Sequence, residues 1–351
     1  MKHAATSNSR IKHRYFQYLT DARGHDEATI DVTAKAIARF EQYTKHRPFQ
    51  RFHIDQARAF KLNLADQCNE RTGQPLSRST MYSTLMHLKR FFEWLADQPG
   101  YRSRIHYADA EYFNPSAKDA RIATAHRSPR APSLEQLEHV VEQMPARSII
   151  ERRDRALVAF IALTGMRVRA VASMKLQYID LSAGVVHQDA RGVATKFAKT
   201  FDTFFFPVWP KARAIVDEWV NGLRTEQLFG NDDPLFPATR VALSESGSFA
   251  AAGLSREHWS NGGPIREIFR RAFAAAGLPY FNPHSVRHTL ANLGERVCKT
   301  PEQFKAWSQN LGHEHVMTTF NVYGPVPGRR QGEILRALAC DTGLGIHAGS
   351  H

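Results

Sequence analysis

A third of the way along the chain lies a stretch that cannot build a core. Residues 114–132 hold three prolines, four Lys or Arg side chains and one large apolar residue, Ile122. Proline fixes φ and removes a backbone donor, so this mixture reads as an extended basic linker. It parts the 351 residues into a first segment of 1–113 and a second of 133–328, with a tail of 329–351. Length alone gives the same count, at roughly 150 residues per domain. Charge divides there too. Residues 1–132 carry 22 basic against 13 acidic side chains, and the remainder 25 against 21. The total surplus of +13 predicts an anionic partner. Nucleic acid fits best, because Lys and Arg release counterions from phosphates.

The first segment has helical periodicity. Ile30, Ala34, Ile37, Phe40 and Tyr43 recur at helical spacing, as do Met81, Leu85, Leu88, Phe91 and Leu95, and a shorter helix is predicted from Ile54 to Leu64. Strand signals are absent, so a small helical bundle is expected. The second segment opens with a capping box, Ser133 and Gln136, ahead of Leu134, Leu137, Val140 and Val141. A helix from about Arg152 to Leu163 should stop at Gly165. The pattern then changes: residues 183–208 are rich in β-branched and aromatic side chains and read as a hairpin or small sheet. Helices are predicted again from Pro210 and after Pro264, Pro283 and Pro301. The fold class is therefore mainly α with a small antiparallel sheet.

Several classes are excluded. Cys68, Cys298 and Cys340 are too few and too scattered for a disulfide scaffold or a cysteine-rich zinc module. No apolar run is long enough to cross a membrane, so no membrane partner is expected. The N-terminus lacks the apolar core of a signal peptide, and a cytoplasmic setting is expected.

Five patterns carry chemistry. Leu163-Thr-Gly-Met-Arg167 delivers an Arg from a glycine turn, and Thr195-Lys-Phe-Ala-Lys-Thr200 puts Lys196 and Lys199 at the turn of the hairpin. Asn282-Pro-His-Ser-Val-Arg-His288 places His284 and Arg287 at a helix start. Leu311-Gly-His313 follows, and Thr318-Thr-Phe-Asn-Val-Tyr323 ends ten residues beyond that His. Two Arg can grip a phosphate by forked, charge-assisted hydrogen bonds and stabilise the charge of a five-coordinate transition state. A Tyr offers a nucleophilic oxygen, a Lys can protonate a leaving oxygen, and His can assist proton movement. His284 and His288 lie four apart, but no third ligand stands at a metal-binding spacing. No metal, nucleotide or other cofactor is expected.

In order and spacing these motifs resemble those of the tyrosine recombinases, the phage integrase family. Thr164-Gly-Met-Arg167 resembles the first Arg box, His284-Ser-Val-Arg287 the His-x-x-Arg box, Leu311-Gly-His313 the Leu-Gly-His turn, and Thr318 to Tyr323 the nucleophile segment. The resemblance implies an N-terminal helical, SAM-like core-binding domain at 1–113 and an α+β catalytic domain at 133–328. It implies a site-specific recombinase that cuts and rejoins duplex DNA, without metal or ATP. Tyr323 would form a 3′-phosphotyrosyl link, Arg167 and Arg287 would clamp the phosphate, and His284 and His313 would assist. A hairpin lysine would protonate the 5′-oxygen. Lys199 fits the family spacing, and Lys196 is the alternative. The family often carries Glu three residues after the first Arg, where this chain has Ala170, and Arg169 is also unusual.

Basic residues in the first segment and linker, Arg71, Arg78, Lys89, Arg90, Arg121, Arg127 and Arg130, are candidate phosphate contacts, weighed against a plain solvated surface. Ile334, Leu335 and Leu338 give residues 331–338 one apolar face, which cannot bury itself alone. Relatives suggest docking in a neighbouring protomer of a DNA-bound tetramer; docking within the same chain is the alternative. Two other functions stay open: a type IB topoisomerase-like relaxing enzyme and a DNA-binding accessory protein.

Overall fold

Asp26, Ser77, Ser133 and Ser148 each cap a helix whose buried apolar side chains recur at helical spacing. The computed structural model describes residues 2–69, 72–125, 130–243 and 247–312, which divide into two compact units, Met1–Ala125 and His126–His351.

The first unit is helical: α1 (Lys2–Asp21), α2 (Glu27–Tyr43), α3 (Ile54–Asp66), α4 (Arg78–Ala96) and α5 (Ala117–Thr124). Asp26 caps α2 and Ser77 caps α4 through their side-chain oxygens. An aromatic cluster fills the interior. Phe40 meets Phe60 edge-on at 5.2 Å, Phe92 at 5.4 Å and Phe113 at 5.5 Å. Each such pair adds roughly 0.5–1.5 kcal/mol beyond the area it buries. Phe91 and Phe92 belong to this core, as the sequence suggests, and Trp94 packs against it. Fully buried Asn8 joins α1 to the rest, donating to Glu41 Oε1 at 3.1 Å and to the Arg47 carbonyl at 3.0 Å, and accepting from Phe49 N–H at 3.1 Å.

The expected extended linker is not extended throughout. Pro115 stands just before the Ser116 cap, and residues 117–124 contain no proline, so nothing interrupts helix α5. Arg78 pairs with Asp119 at 3.2 Å and fastens α5 to α4.

The second unit begins at α6 (Leu134–Gln143), behind its Ser133–Gln136 capping box. Helix α7 (Ile149–Thr164) is its centre. The apolar run Ala156–Leu163 is buried on every side, as expected of a helix without a polar face. Around it come α8 (Val168–Ala172), β1 (Ile179–Asp180), β2 (Val185–Gln188), β3 (Phe201–Phe204), α9 (Pro210–Thr225), β4 (Thr239–Leu243), β5 (Phe249–Leu254), α10 (Gly263–Ala275), α11 (Ser285–Val297) and α12 (Pro301–Asn310). Among the described residues β1, β2 and β3 form one antiparallel sheet in that order, and β4 pairs with β5 in a second. No described helix is long and apolar enough to cross a membrane.

The β4–β5 hairpin has no counterpart in the sequence reading. It is moored by Arg153 of α7, which is buried, forks onto Asp154, and donates to the Pro237 carbonyl at 3.0 Å and Thr239 Oγ1 at 2.9 Å. Its guanidinium lies 5.0 Å from the ring centre of Trp259. Burying that ion pair costs desolvation, and these extra partners are what make the burial tolerable.

Candidate active site

Three turns converge at the end of α7, and one arginine joins two of them. Helix α7 stops at Gly165, whose φ of 58° is the left-handed conformation that favours glycine. A side chain there has no room either: a Cβ would stand 2.9 Å from Leu290 Cδ1 and 3.1 Å from Leu311 Cδ2. The chain turns through Met166, and Arg167 becomes the N-cap residue of α8. From the opposite side, Asn282 Oδ1 accepts the His284 N–H at 2.9 Å and sets the start of α11. That places Arg287 on the first turn, pointing inward and buried.

Arg287 donates from Nη1 to the Gly165 carbonyl at 2.6 Å and from Nη2 to the Leu311 carbonyl. The glycine turn of Arg167 and the Leu311–Gly312 turn are thereby held on one guanidinium. Leu311 is buried, and Trp307 Nε1 binds the Leu290 carbonyl at 2.9 Å, fixing α12 on α11. The β-sheet is tied in by Phe206 N–H, which donates to the Leu163 carbonyl at 2.8 Å.

The electrostatics are those of a site waiting for an anion. Burial lowers the Arg167 guanidinium from its usual range, and no carboxylate among the described residues offsets it. Burial first, and the charge of Arg167 second, lower Arg287, which stays cationic at neutral pH. His284 is open to solvent on one side, yet partial burial holds its imidazole down at about 4, helped by the charges of Arg287, His288, Arg167 and Lys196. It is neutral at pH 7, with one ring nitrogen a donor and the other an acceptor. His288 stands edge-on to it at 5.5 Å. Clustered like charges in partly dry surroundings are a preorganised binding site for negative charge.

The two candidate lysines flank the tip between β2 and β3. There Phe197 (φ 61°) and Ala198 (φ 50°) are both left-handed, at roughly 1–2 kcal/mol each for residues with a Cβ. The Lys196 ammonium lies 4.6 Å from the ring centre of the exposed Phe197. It is also among the charges that depress His284. Lys199 enters β3 two residues before Phe201. Ala170, at the usual Glu position, is buried, and Arg169 points to solvent. Of the other expected residues, His313 and Tyr323 lie outside the described residues, as do Thr318, Thr319, Arg71, Arg127 and the apolar segment 331–338.

Arg90 and Arg121 of the first unit and Arg130 of the second are exposed. Lys89 is not available in the same way: its ammonium binds Asn114 Oδ1 at 3.1 Å and lies 3.6 Å from Glu111 and 3.8 Å from Glu93.

The phage integrase family model matches residues 132–326, more than half of the chain. The chain belongs to the phage integrase family. This recombinase is 21% identical over 311 residues to tyrosine recombinase XerC of Lactobacillus delbrueckii subsp. bulgaricus, covering 88% of this chain and 92% of the relative. To tyrosine recombinase XerD of Vibrio vulnificus it is 22% identical over 327 residues, covering 91% and 93%. Among solved structures it shares the fold of lambda integrase bound as a dimer to a COC′ core site (TM-score 0.61, 16% identity, covering 90% and 94%). It also shares that of the Tn1549 transposon integrase (TM-score 0.61, 13% identity, covering 94% and 99%). The resemblance carried by the four motifs is borne out, as is the mainly α fold class. By membership the chain is a tyrosine-type site-specific recombinase.

Sequence reasoning missed the Arg153 anchor and the part Asn310 plays beside the Leu311–Gly312 turn. Neither belongs to a local motif; both act through partners distant in sequence.

Proposed function

We propose that this recombinase breaks and reseals duplex DNA by two transesterifications, with Tyr323 as nucleophile. The Tyr323 oxygen attacks phosphorus and bonds to it, the phosphate stays on the 3′-oxygen, and the bond to the 5′-oxygen breaks. Arg167 and Arg287 hold the non-bridging oxygens as charge builds on them. His284, neutral at pH 7, and His313 hydrogen-bond the phosphate and move the tyrosine proton. Lys199, or Lys196, gives a proton to the departing 5′-oxygen. A 5′-hydroxyl from a partner strand reverses each step. The ester bond is conserved in the phosphotyrosine, so no ATP is consumed, and the two guanidinia supply the charge stabilisation without metal or other cofactor.

The observation that supports this most is Arg287, which ties the Arg167 turn to the turn that leads into His313. The domain scheme of 1–113, 114–132, 133–328 and 329–351 is part of the same reading. The first domain and linker embrace the duplex through Arg71, Arg78, Arg90, Arg121, Arg127 and Arg130. Of these, Arg78 contributes less because it is already paired with Asp119, and so does Lys89, whose charge is engaged too. Lambda integrase and XerH have been solved on DNA, and lambda integrase as a tetramer on a Holliday junction. By analogy this chain acts on double-stranded DNA as a multimer, a tetramer at synapsis, with residues 331–338 docked in a neighbour. A DNA substrate of this kind goes with the expected cytoplasmic setting. The topoisomerase and accessory-protein alternatives are not favoured by the family match.

A nicked duplex that loses its cleaved 5′ end and cannot religate tests the proposal. The wild-type chain should remain covalently attached to it, and Tyr323→Phe should not.

A further inference from the structure

Asn310 is the last residue of α12, one before the Leu311–Gly312 turn. Its side chain treats Phe204 of β3 as a neighbouring strand would. Nδ2 donates to the Phe204 carbonyl at 2.8 Å, and Oδ1 accepts the Phe204 N–H at 2.6 Å. The Asn310 carbonyl accepts the Thr203 hydroxyl at 3.3 Å, and that hydroxyl accepts from Gln188 Nε2 at 2.7 Å. β3 is an edge strand, with β2 on one side only. On its other side the amide of Asn310 stands in for the missing strand. Gly312 closes the same seam, since a Cβ there would lie 2.7 Å from the Phe201 ring. A cavity of about 1000 Å³ opens along it, bordered by Lys199, Phe204, Trp307 and Asn310.

We propose that Asn310 is a positioning residue for strand cleavage: it docks the edge strand β3, and with it the hairpin lysine, onto the turn held by Arg287. This rests on the reading of a hairpin lysine as the proton donor to the 5′-oxygen. The two sides of the seam are unequally supported. Helix α12 keeps the Trp307 bond to Leu290, the burial of Leu311 and the Arg287 bond to the Leu311 carbonyl without help from the Asn310 amide. The outer edge of β3 at Phe204 is held by that amide. Removing it loosens the outer edge of the strand that starts two residues after Lys199, which keeps its ladder to β2 and the Phe206 bond to Leu163, while the phosphate clamp of Arg167 and Arg287 stays in place. The defect should fall on protonation of the leaving oxygen and not on phosphate binding or attack.

Chemistry separates the two. A duplex with sulfur in place of the bridging 5′-oxygen expels a thiolate, which needs no proton. Single-turnover cleavage of oxygen and sulfur duplexes is compared for wild type, Asn310→Ala, Lys199→Ala and Lys196→Ala. Misplacing a catalytic group by about 1 Å costs up to about 100-fold. Asn310→Ala should cleave the oxygen duplex about 10- to 100-fold more slowly and the sulfur duplex at close to the wild-type rate, matching one of the lysine variants. Asn310→Asp, which keeps the acceptor for Phe204 N–H, serves if the alanine variant loses its native circular dichroism, and should show the same selectivity with a smaller loss. An equal loss on both duplexes in a folded variant overturns the proposal, as does wild-type cleavage of the oxygen duplex. If sulfur rescues neither lysine variant, the proton-donor reading itself fails and the proposal with it. If sulfur rescues a lysine variant but not Asn310→Ala, the proposal alone fails.

Discussion

Gly165→Ala perturbs the junction that holds the site together, and its cost follows from the structure. The residue sits at φ +58°, where alanine pays roughly 1–2 kcal/mol for the left-handed conformation. The new Cβ would lie 2.9 Å from Leu290 Cδ1, 3.1 Å from Leu311 Cδ2 and 3.5 Å from Arg287 Cγ. Forcing a methyl into a packed interior of that kind costs typically 1–3 kcal/mol. The total is about 2–5 kcal/mol. At ~2–4 °C per kcal/mol for a unit of this size, a mid-range loss of about 3 kcal/mol lowers the melting temperature by roughly 6–12 °C. Gly277 supplies the control. Its φ is +66° and nothing lies within 4 Å of a built Cβ, so Gly277→Ala pays the conformational cost alone. Melting followed by circular dichroism should therefore rank Gly165→Ala well below Gly277→Ala. Cleavage of the nicked duplex should fall only for Gly165→Ala, because Leu311 and Arg287 are the groups it displaces. Equal melting temperatures for the two variants, or full cleavage by Gly165→Ala, would refute the view that this turn is packed directly against the clamp.

Two further outcomes are expected. The His284 ring, followed by NMR, should titrate near pH 4 in the free protein, against about 6.5 for an unperturbed histidine. Because its folded value is depressed, its contribution to stability is present above about pH 6.5 and is lost as pH falls through 4. A bound phosphodiester should raise the value by opposing the cationic neighbours; titration of the free protein near 6.5 would contradict the cationic cluster. In DNA binding, Arg90→Ala should reduce the slope of log affinity against log salt by about one. Lys89→Ala should leave that slope unchanged, since Asn114, Glu93 and Glu111 already engage its ammonium; equal changes for the two would refute the distinction.

Chemistry dictates residue types in fixed order, which is why Arg167, His284 and Arg287 could be picked from the sequence; these three lie where the turns meet, while His313 and Tyr323 lie outside the described residues. Most helices were legible because their caps are local, as at Ser133 and Ser77. Helix α5 was hidden by prolines that flank it without interrupting it. Helix α1 was hidden because its buried residues Ile11, Tyr15 and Leu19 are sparse among polar neighbours, and because Asn8 holds it through a nonlocal polar network. Strand β5, Phe-Ala-Ala-Ala-Gly-Leu, has no β-branched residue and owes its place to pairing and to the Arg153 anchor nearby. The choice between Lys196 and Lys199 was not legible because both flank a tip whose conformation, with Phe197 and Ala198 left-handed, no propensity predicts. Asn310 looked like an ordinary helix end; its partner lies more than a hundred residues earlier in the chain.

The central claim is that one tyrosine becomes bonded to DNA at a phosphate clamped by Arg167 and Arg287. Mass spectrometry of the protease-digested covalent adduct from the nicked duplex tests it most directly. The expected result is a nucleotide attached through its 3′-phosphate to the peptide containing Tyr323, with no adduct from Tyr323→Phe. A nucleotide on any other residue, or an adduct that persists in Tyr323→Phe, would contradict it.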